Sequence, residues 1–221
     1  MPSPTSKNSQ KRETREEILA LSVHLFAKHG FDGVSMRDVA SAVGLTQAAL
    51  YYHFPDKEHL YFSTFAHLYR QKESYLKEIL DSSLPPWERL EALVTGMSRM
   101  IAADRDFMRL MQWILLDSDE ARRHKLAVYV FQDMMLAVND LAGKLSTDHD
   151  PHLLASSIFG LVFSHFQNAA ISNFFPGYPA QNIHPDQLSW HICDLLRNGL
   201  KATESQLPAR FAPPGLSQPL S

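Results

Sequence analysis

Apolar residues recur along this chain at helical spacing almost from end to end, and stretches alternating apolar and polar with period two are scarce. The pattern predicts an all-α protein. Ile18, Leu21, Ser22, Leu25, Phe26 and His29 share one face of a first helix, opened by a capping box of Thr14 with Glu17 and closed by Gly30. Ser35 with Asp38 makes a second box ahead of Met36, Val39, Ala40 and Val43, and Gly44 stops that helix after about two turns. Thr46 caps a third short helix that turns Leu50 and Phe54 inward. Pro55-Asp56 then resets the chain before a long helix that runs from near Lys57 to about Ser82. Further helices are expected near Trp87 to Ala103, Phe107 to Leu116, Glu120 to Leu145, Leu153 to Phe174 and Asp186 to about Thr203. Asp104, Ser118, Asp148 to Pro151 and the Phe175 to Pro185 loop separate them. Beyond Ser205, five prolines and glycines among polar residues forbid a regular element.

Two short helices joined through a Gly turn have the shape of a helix-turn-helix, whose second helix enters the major groove of DNA. If Leu50 points to the core, helical geometry turns Ala48, Tyr51 and Tyr52 broadly outward, with Gln47 and Ala49 at the flanks. Small alanines let the helix approach base edges and offer a methyl to thymine, Gln47 can pair with adenine through two hydrogen bonds, and the two phenols reach phosphates. His53, on the Leu50 side, is expected to pack rather than to read DNA.

At these residues the chain resembles the N-terminal domain of TetR-type transcriptional regulators. The match is carried by Ile18-Leu19, by Leu25 through Phe31, by Ser35-Met36-Arg37-Asp38-Val39-Ala40, by Val43-Gly44-Leu45-Thr46 and by Leu50-Tyr51-Tyr52-His53-Phe54-Pro55-Asp56-Lys57. It is dense from about Thr14 to Phe65 and covers under a third of the chain. The resemblance implies that Arg37, Thr46, Gln47, Ala48, Ala49, Tyr51, Tyr52 and Lys57 meet the DNA, with Lys57 on a phosphate beside a helix N-terminus. Ala48 stands where the family commonly has Gly, and Gln47 where Lys, Arg or Ser is frequent, so the base preference is this chain's own. The implied organisation is a flexible arm (1–13), a three-helix DNA-binding domain (14–65, helix-turn-helix about 35–54), a larger C-terminal effector-binding and dimerisation domain (66–204) and a Pro-rich tail (205–221).

The resemblance also implies a homodimer bound to a palindromic operator in double-stranded DNA, and a small-molecule effector. Residues 151–185 contain no Asp, Glu, Lys or Arg, where the chain's average predicts roughly seven, although polar residues interrupt the run well short of a membrane span. Ile158, Leu161, Val162 and His165 on this helix, with Ile192, Leu195 and Leu196 on the last, are the expected dimer interface; a central helix of a monomeric core would show the same pattern. For the effector, Met97, Met100, Phe107, Met111, Trp113, Tyr129 and Met134 are the expected lining. Phe163, Phe166 and Gln167 join them from the neighbouring helix, a composition suited to a large apolar ligand and equally to an ordinary core.

Charge alters this picture less than it first suggests. The formal net charge is -3, which argues against a nucleic-acid coat. Yet through residue 60 there are seven basic and seven acidic residues, and the remaining 161 carry 14 and 17, so the deficit belongs to the C-terminal part. Contact with phosphates must therefore be positional, through Lys7, Lys11, Arg12 and Arg15 on the approach to the helix-turn-helix and Arg37 and Lys57 around it. Cys193 is the one cysteine, so no internal disulfide forms, and within an apolar helical pattern it is expected to be buried and inert. The N-terminus reads as neither signal peptide nor lipid anchor, which makes the cytoplasm the expected compartment. No catalytic group, metal or cofactor is expected. Asp150-Pro151 reads as a helix cap rather than as part of a metal site with His149 and His152. The leading reading is a ligand-released repressor. A DNA-binding regulator or activator without a ligand, and a helical enzyme or protein-interaction module, are the alternatives.

Overall fold

The computed structural model describes residues 4–172, 174–176 and 184–201, and every regular element among them is helical. In order they are α1 (Pro4–His29), α2 (Met36–Val43), α3 (Gln47–His53), α4 (Lys57–Leu80), α5 (Pro86–Ala103), α6 (Arg105–Leu116), α7 (Glu120–Leu126), a π-helical turn (Ala127–Phe131), α8 (Gln132–Leu145), α9 (Pro151–Ser172) and α10 (Pro185–Lys201).

The expected helix starts hold where a side chain caps them. Ser35 and Asp38 form a full capping box on α2, Thr46 caps α3, Asp56 caps α4 and Asp104 caps α6. Asp150 accepts from the amides of His152 and Leu153 at the head of α9. The box at Thr14 does not open a helix. Residues 5–13 hold no Gly or Pro, so α1 continues N-terminally to Pro4, and most of the expected arm forms its first turns. The expected single helix from Glu120 to Leu145 is broken by the π-helical turn, with α7 and α8 on either side.

α1 is the hinge of the architecture because it packs on α2, α4 and α6 at once. Its buried stripe is accordingly broad: Ile18, Leu19, Ser22, Val23, Phe26 and Ala27 are buried, whereas Leu21 and His29 of the expected face are exposed. Tyr61 of α4 lies beneath this stripe as an aromatic hub. Its ring makes edge contacts to Phe26, Phe31 and Phe65 at 5.0, 5.1 and 4.9 Å, and burial pushes its phenol well above the ordinary range. The larger half is built by α4 to α10, with α10 laid along α5 and α9 along α8.

Most of the expected dimer-interface residues on the outermost helices are buried within the single chain. Ile158 and Val162 of α9, and Ile192 and Leu196 of α10, are buried in the chain's own core, and Leu161 and His165 are half-buried. Of the seven expected contacts, Leu195 is the exposed one. The apolar residues these two helices leave open are instead Leu153, Ile171, Trp190 and Leu195. Cys193 is buried, and desolvation pushes its thiol up to about 11. No described helix is long and apolar enough to cross a membrane. The expected tail at 205–221 lies outside the described residues.

Candidate nucleic-acid interface

The turn between α2 and α3 begins at Gly44, whose φ of 74° is the left-handed conformation that L side chains resist. Leu45 N–H donates back to the Ala40 carbonyl at 2.9 Å, which fixes the exit of the turn. Thr46 Oγ1 then accepts from Ala49 N–H at 3.2 Å and starts α3. This helix is held by Leu50 and by Phe54 at its end, both buried. Everything else on it faces outward or sits at the margin: Thr46, Gln47 and Ala48 are exposed, Tyr51 and Tyr52 are 49% and 70% exposed, and Ala49 is half-buried. Exposure on this scale for adjacent tyrosines leaves apolar surface in water that only a partner covers. His53 is half-buried with its ring edge-on to Tyr52, in keeping with packing.

Arg37 on α2, Gln47 and Tyr51 on α3, and Lys57 at the start of α4 line one cleft of about 480 Å³ together with Asp32 and Asp38. Asp38 is committed to the capping box, and hydrogen bonds from the Ser35 hydroxyl and amide hold its carboxyl below the usual range. Lys57 Nζ donates to the Phe31 carbonyl at 2.9 Å and lies 4.1 Å from the centre of the Phe31 ring. Neither partner neutralises its charge. Arg15, expected to face phosphates, is turned inward: its guanidinium stacks on the Phe54 ring at 4.9 Å and donates to Ser63 Oγ at 3.2 Å. It braces the end of α3.

With this geometry in place, residues 18–64 match the family described as bacterial regulatory proteins, tetR family. Over these residues the chain is similar to the DNA-binding region of the TetR family. Among curated relatives, the transcriptional repressor KstR2 of Rhodococcus jostii is 32% identical over 111 residues, which is 50% of this chain and 54% of that protein, so the alignment spans about half the relative's length. Solved folds match more broadly. FadR from Bacillus subtilis, solved with stearoyl-CoA, superposes with a TM-score of 0.70 at 18% identity over 83% of this chain and 97% of its own. AibR, solved with isovaleryl coenzyme A and operator DNA, gives 0.67 at 19% identity over 82% and 97%. These likenesses show a shared fold over most of the chain.

The larger half is where the chain departs most from expectation. Met97, Phe107 and Met134 are buried, and Met100, Met111, Phe163, Phe166 and Gln167 are half-buried, as a shared interior requires. Two expected pocket residues are elsewhere. Tyr129 is 82% exposed, because the π-helical turn swings it out of the helical stripe. Trp113 leans on α1, donating its indole N–H to the Ala27 carbonyl at 3.1 Å, so it joins the DNA-binding half to the rest. A cleft of about 300 Å³ lies instead between α5 and α10, lined by Glu91, Thr95, Ser189, Trp190, Cys193 and Arg197 among others.

Contacts missed from sequence lie where Trp113 also does, between the helix-turn-helix half and the rest. Arg122 of α7 places its guanidinium 3.8 Å from the centre of the Phe31 ring, and Lys125 pairs with Glu58 of α4 at 2.7 Å. His24 of α1 meets Asp106 of α6 at 3.1 Å. Their signal in the sequence is faint, since each pair joins residues far apart in the chain.

Proposed function

We propose that this chain is a homodimeric transcriptional repressor that binds a palindromic operator through α3 and is released by a small, largely apolar ligand. The observation that carries the reading is the outward face of α3, where Gln47, Ala48, Tyr51 and Tyr52 lie open on a helix fixed by Leu50 and Phe54. Arg37 and Lys57 flank it as cations.

Repression accords with the KstR2 similarity. The ligand reading is supported by FadR and AibR, whose structures hold acyl-coenzyme A molecules. It is supported too by Ser98 of α5, whose hydroxyl is fully buried without a partner beside Met97. Ser22, Thr64 and Ser189, the other buried serine and threonine hydroxyls among the described residues, each donate to the carbonyl four residues earlier. A ligand oxygen or amide would give Ser98 the bond it lacks, which relieves a desolvation cost of about 1–3 kcal/mol. Two-fold pairing is supported by the open Leu153, Ile171, Trp190 and Leu195 on α9 and α10.

Footprinting on the DNA flanking the protein's own gene, at several salt concentrations, tests the reading. A protected palindrome with half-sites about one helical turn apart is the expected result. Saturating DNA with no salt-dependent binding would overturn it. Titration of the protected duplex with acyl-coenzyme A thioesters of increasing chain length tests release; operator binding unchanged by all of them, and by free fatty acids, favours a regulator without such a ligand.

A further inference from the structure

Phe31 occupies the turn after α1, and two cations share its ring: Lys57 Nζ at 4.1 Å from its centre and Arg122 Cζ at 3.8 Å. They come from different parts of the molecule. Lys57 borders the cleft of α2 and α3, whereas Arg122 belongs to α7, beyond α6. Two like charges on one ring are tolerable only if one is compensated. Arg122 is: its Nε and Nη2 donate to the two oxygens of Asp117 at 2.5 and 2.9 Å, a two-point fork, and Asp119 stands 3.6 Å from Nη1. Both members of the fork are nearly buried, with side chains 10% and 7% exposed. Arg122 is therefore a fixed wall against the ring. Lys57 makes no such ion pair among the described residues; it is held by the ring and by the Phe31 carbonyl, in a cleft that Asp32 and Asp38 also line.

We infer that Arg122 and Phe31 are positioning residues for DNA binding: Arg122, anchored by Asp117, holds the Phe31 ring as a platform that presents the Lys57 ammonium to a backbone phosphate of the operator. The inference rests on the proposed DNA-binding role of Lys57. A free lysine loses side-chain entropy when it is immobilised. On this platform that loss is incurred as the protein folds, and DNA meets a cation already in place. A second consequence follows from where Arg122 sits. α7 leads directly into the π-helical turn and α8, so a shift of α7 withdraws the wall from the ring and loosens Lys57 without any part of the larger domain touching DNA.

The test is a double-mutant cycle on the footprinted duplex, with the full chain and with affinity measured across a salt series. Lys57→Ala is expected to weaken binding about ten-fold and to flatten the dependence of log K on log salt by about 0.9 for each phosphate lost. Phe31→Leu, which keeps an apolar side chain in the turn, and Arg122→Met are each expected to reproduce both changes. Combined with Lys57→Ala, neither is expected to add to the loss. Phe31→Leu carries the same cycle should Arg122→Met not fold. Unchanged affinity and salt slope in Phe31→Leu, or losses that add to those of Lys57→Ala, would overturn the inference and leave the DNA-binding reading intact. Failure of the wild-type chain to bind overturns the reading and the inference with it.

Discussion

Tyr51 is the side chain on which operator recognition is best probed, because its exposed ring contributes little to the fold. Tyr51→Ala is expected to weaken operator binding roughly ten-fold, the worth of one lost charge-assisted phosphate hydrogen bond, with helicity unchanged. Wild-type affinity in a gel-shift titration would contradict it. Gly30 is the opposite case. Its φ is 70°, and a Cβ there would meet the Trp113 ring at 2.9 Å. Gly30→Ala combines a left-handed backbone with a clash against a large fixed ring, so it is expected to cost about 1–3 kcal/mol and to lower the melting temperature measurably. At this scale the sequence was legible wherever one residue carries its own chemistry: Gly44 in a turn, Ser35 and Thr46 as caps, Leu50 as an anchor. Trp113 and Tyr129 were not, since an aromatic on an amphipathic helix looks the same whether it lines a pocket, joins two halves or faces water.

Among the elements, α7 is tied down by a contact that acid removes. Asp117 is held below its usual value chiefly by the Arg122 hydrogen bonds, while an unfolded chain returns it to its ordinary range. Its contribution is therefore fully present above about pH 4, and it is lost as pH falls through the lower folded value. Thermal melts from pH 7 down to pH 3 are expected to show a steep loss of stability below about pH 4, shallower in Asp117→Asn, which has forfeited that contribution beforehand. Parallel curves for the two proteins would refute it. The start of α1 and the break after α7 were hidden for one reason. A Thr-x-x-Glu spacing looks like a cap even when good helix formers precede it, and no Gly or Pro within 120–131 announces a π-helical turn. Such register changes arise from packing, and here Phe131 is drawn edge-on against Tyr69 of α4 at 5.0 Å.

For the whole molecule, the open residues of α9 and α10 make the proposed dimer testable with paired substitutions. Trp190→Glu is expected to give a folded monomer by sedimentation, since Trp190 is 72% exposed in the single chain. Ile192→Glu, two residues on, is expected to prevent folding, because it places a carboxylate at a fully buried position. A dimer that survives Trp190→Glu unchanged would remove α10 from the interface. The apolar run of α9 and the stripe of α10 were plain in the sequence, but not which side serves the chain's own core. Burial against self and burial against a copy select the same residue types, and only the packing of α10 along α5 separates them.

The division of labour within α3 reaches beyond any single operator. Its attachment rests on Leu50 and the Phe54 that follows, while its outward residues have almost no part in holding it there. Selection can therefore rewrite Gln47, Ala48, Tyr51 and Tyr52 to suit a new promoter with little threat to folding, and a duplicated copy of this gene could acquire different targets within a few mutational steps.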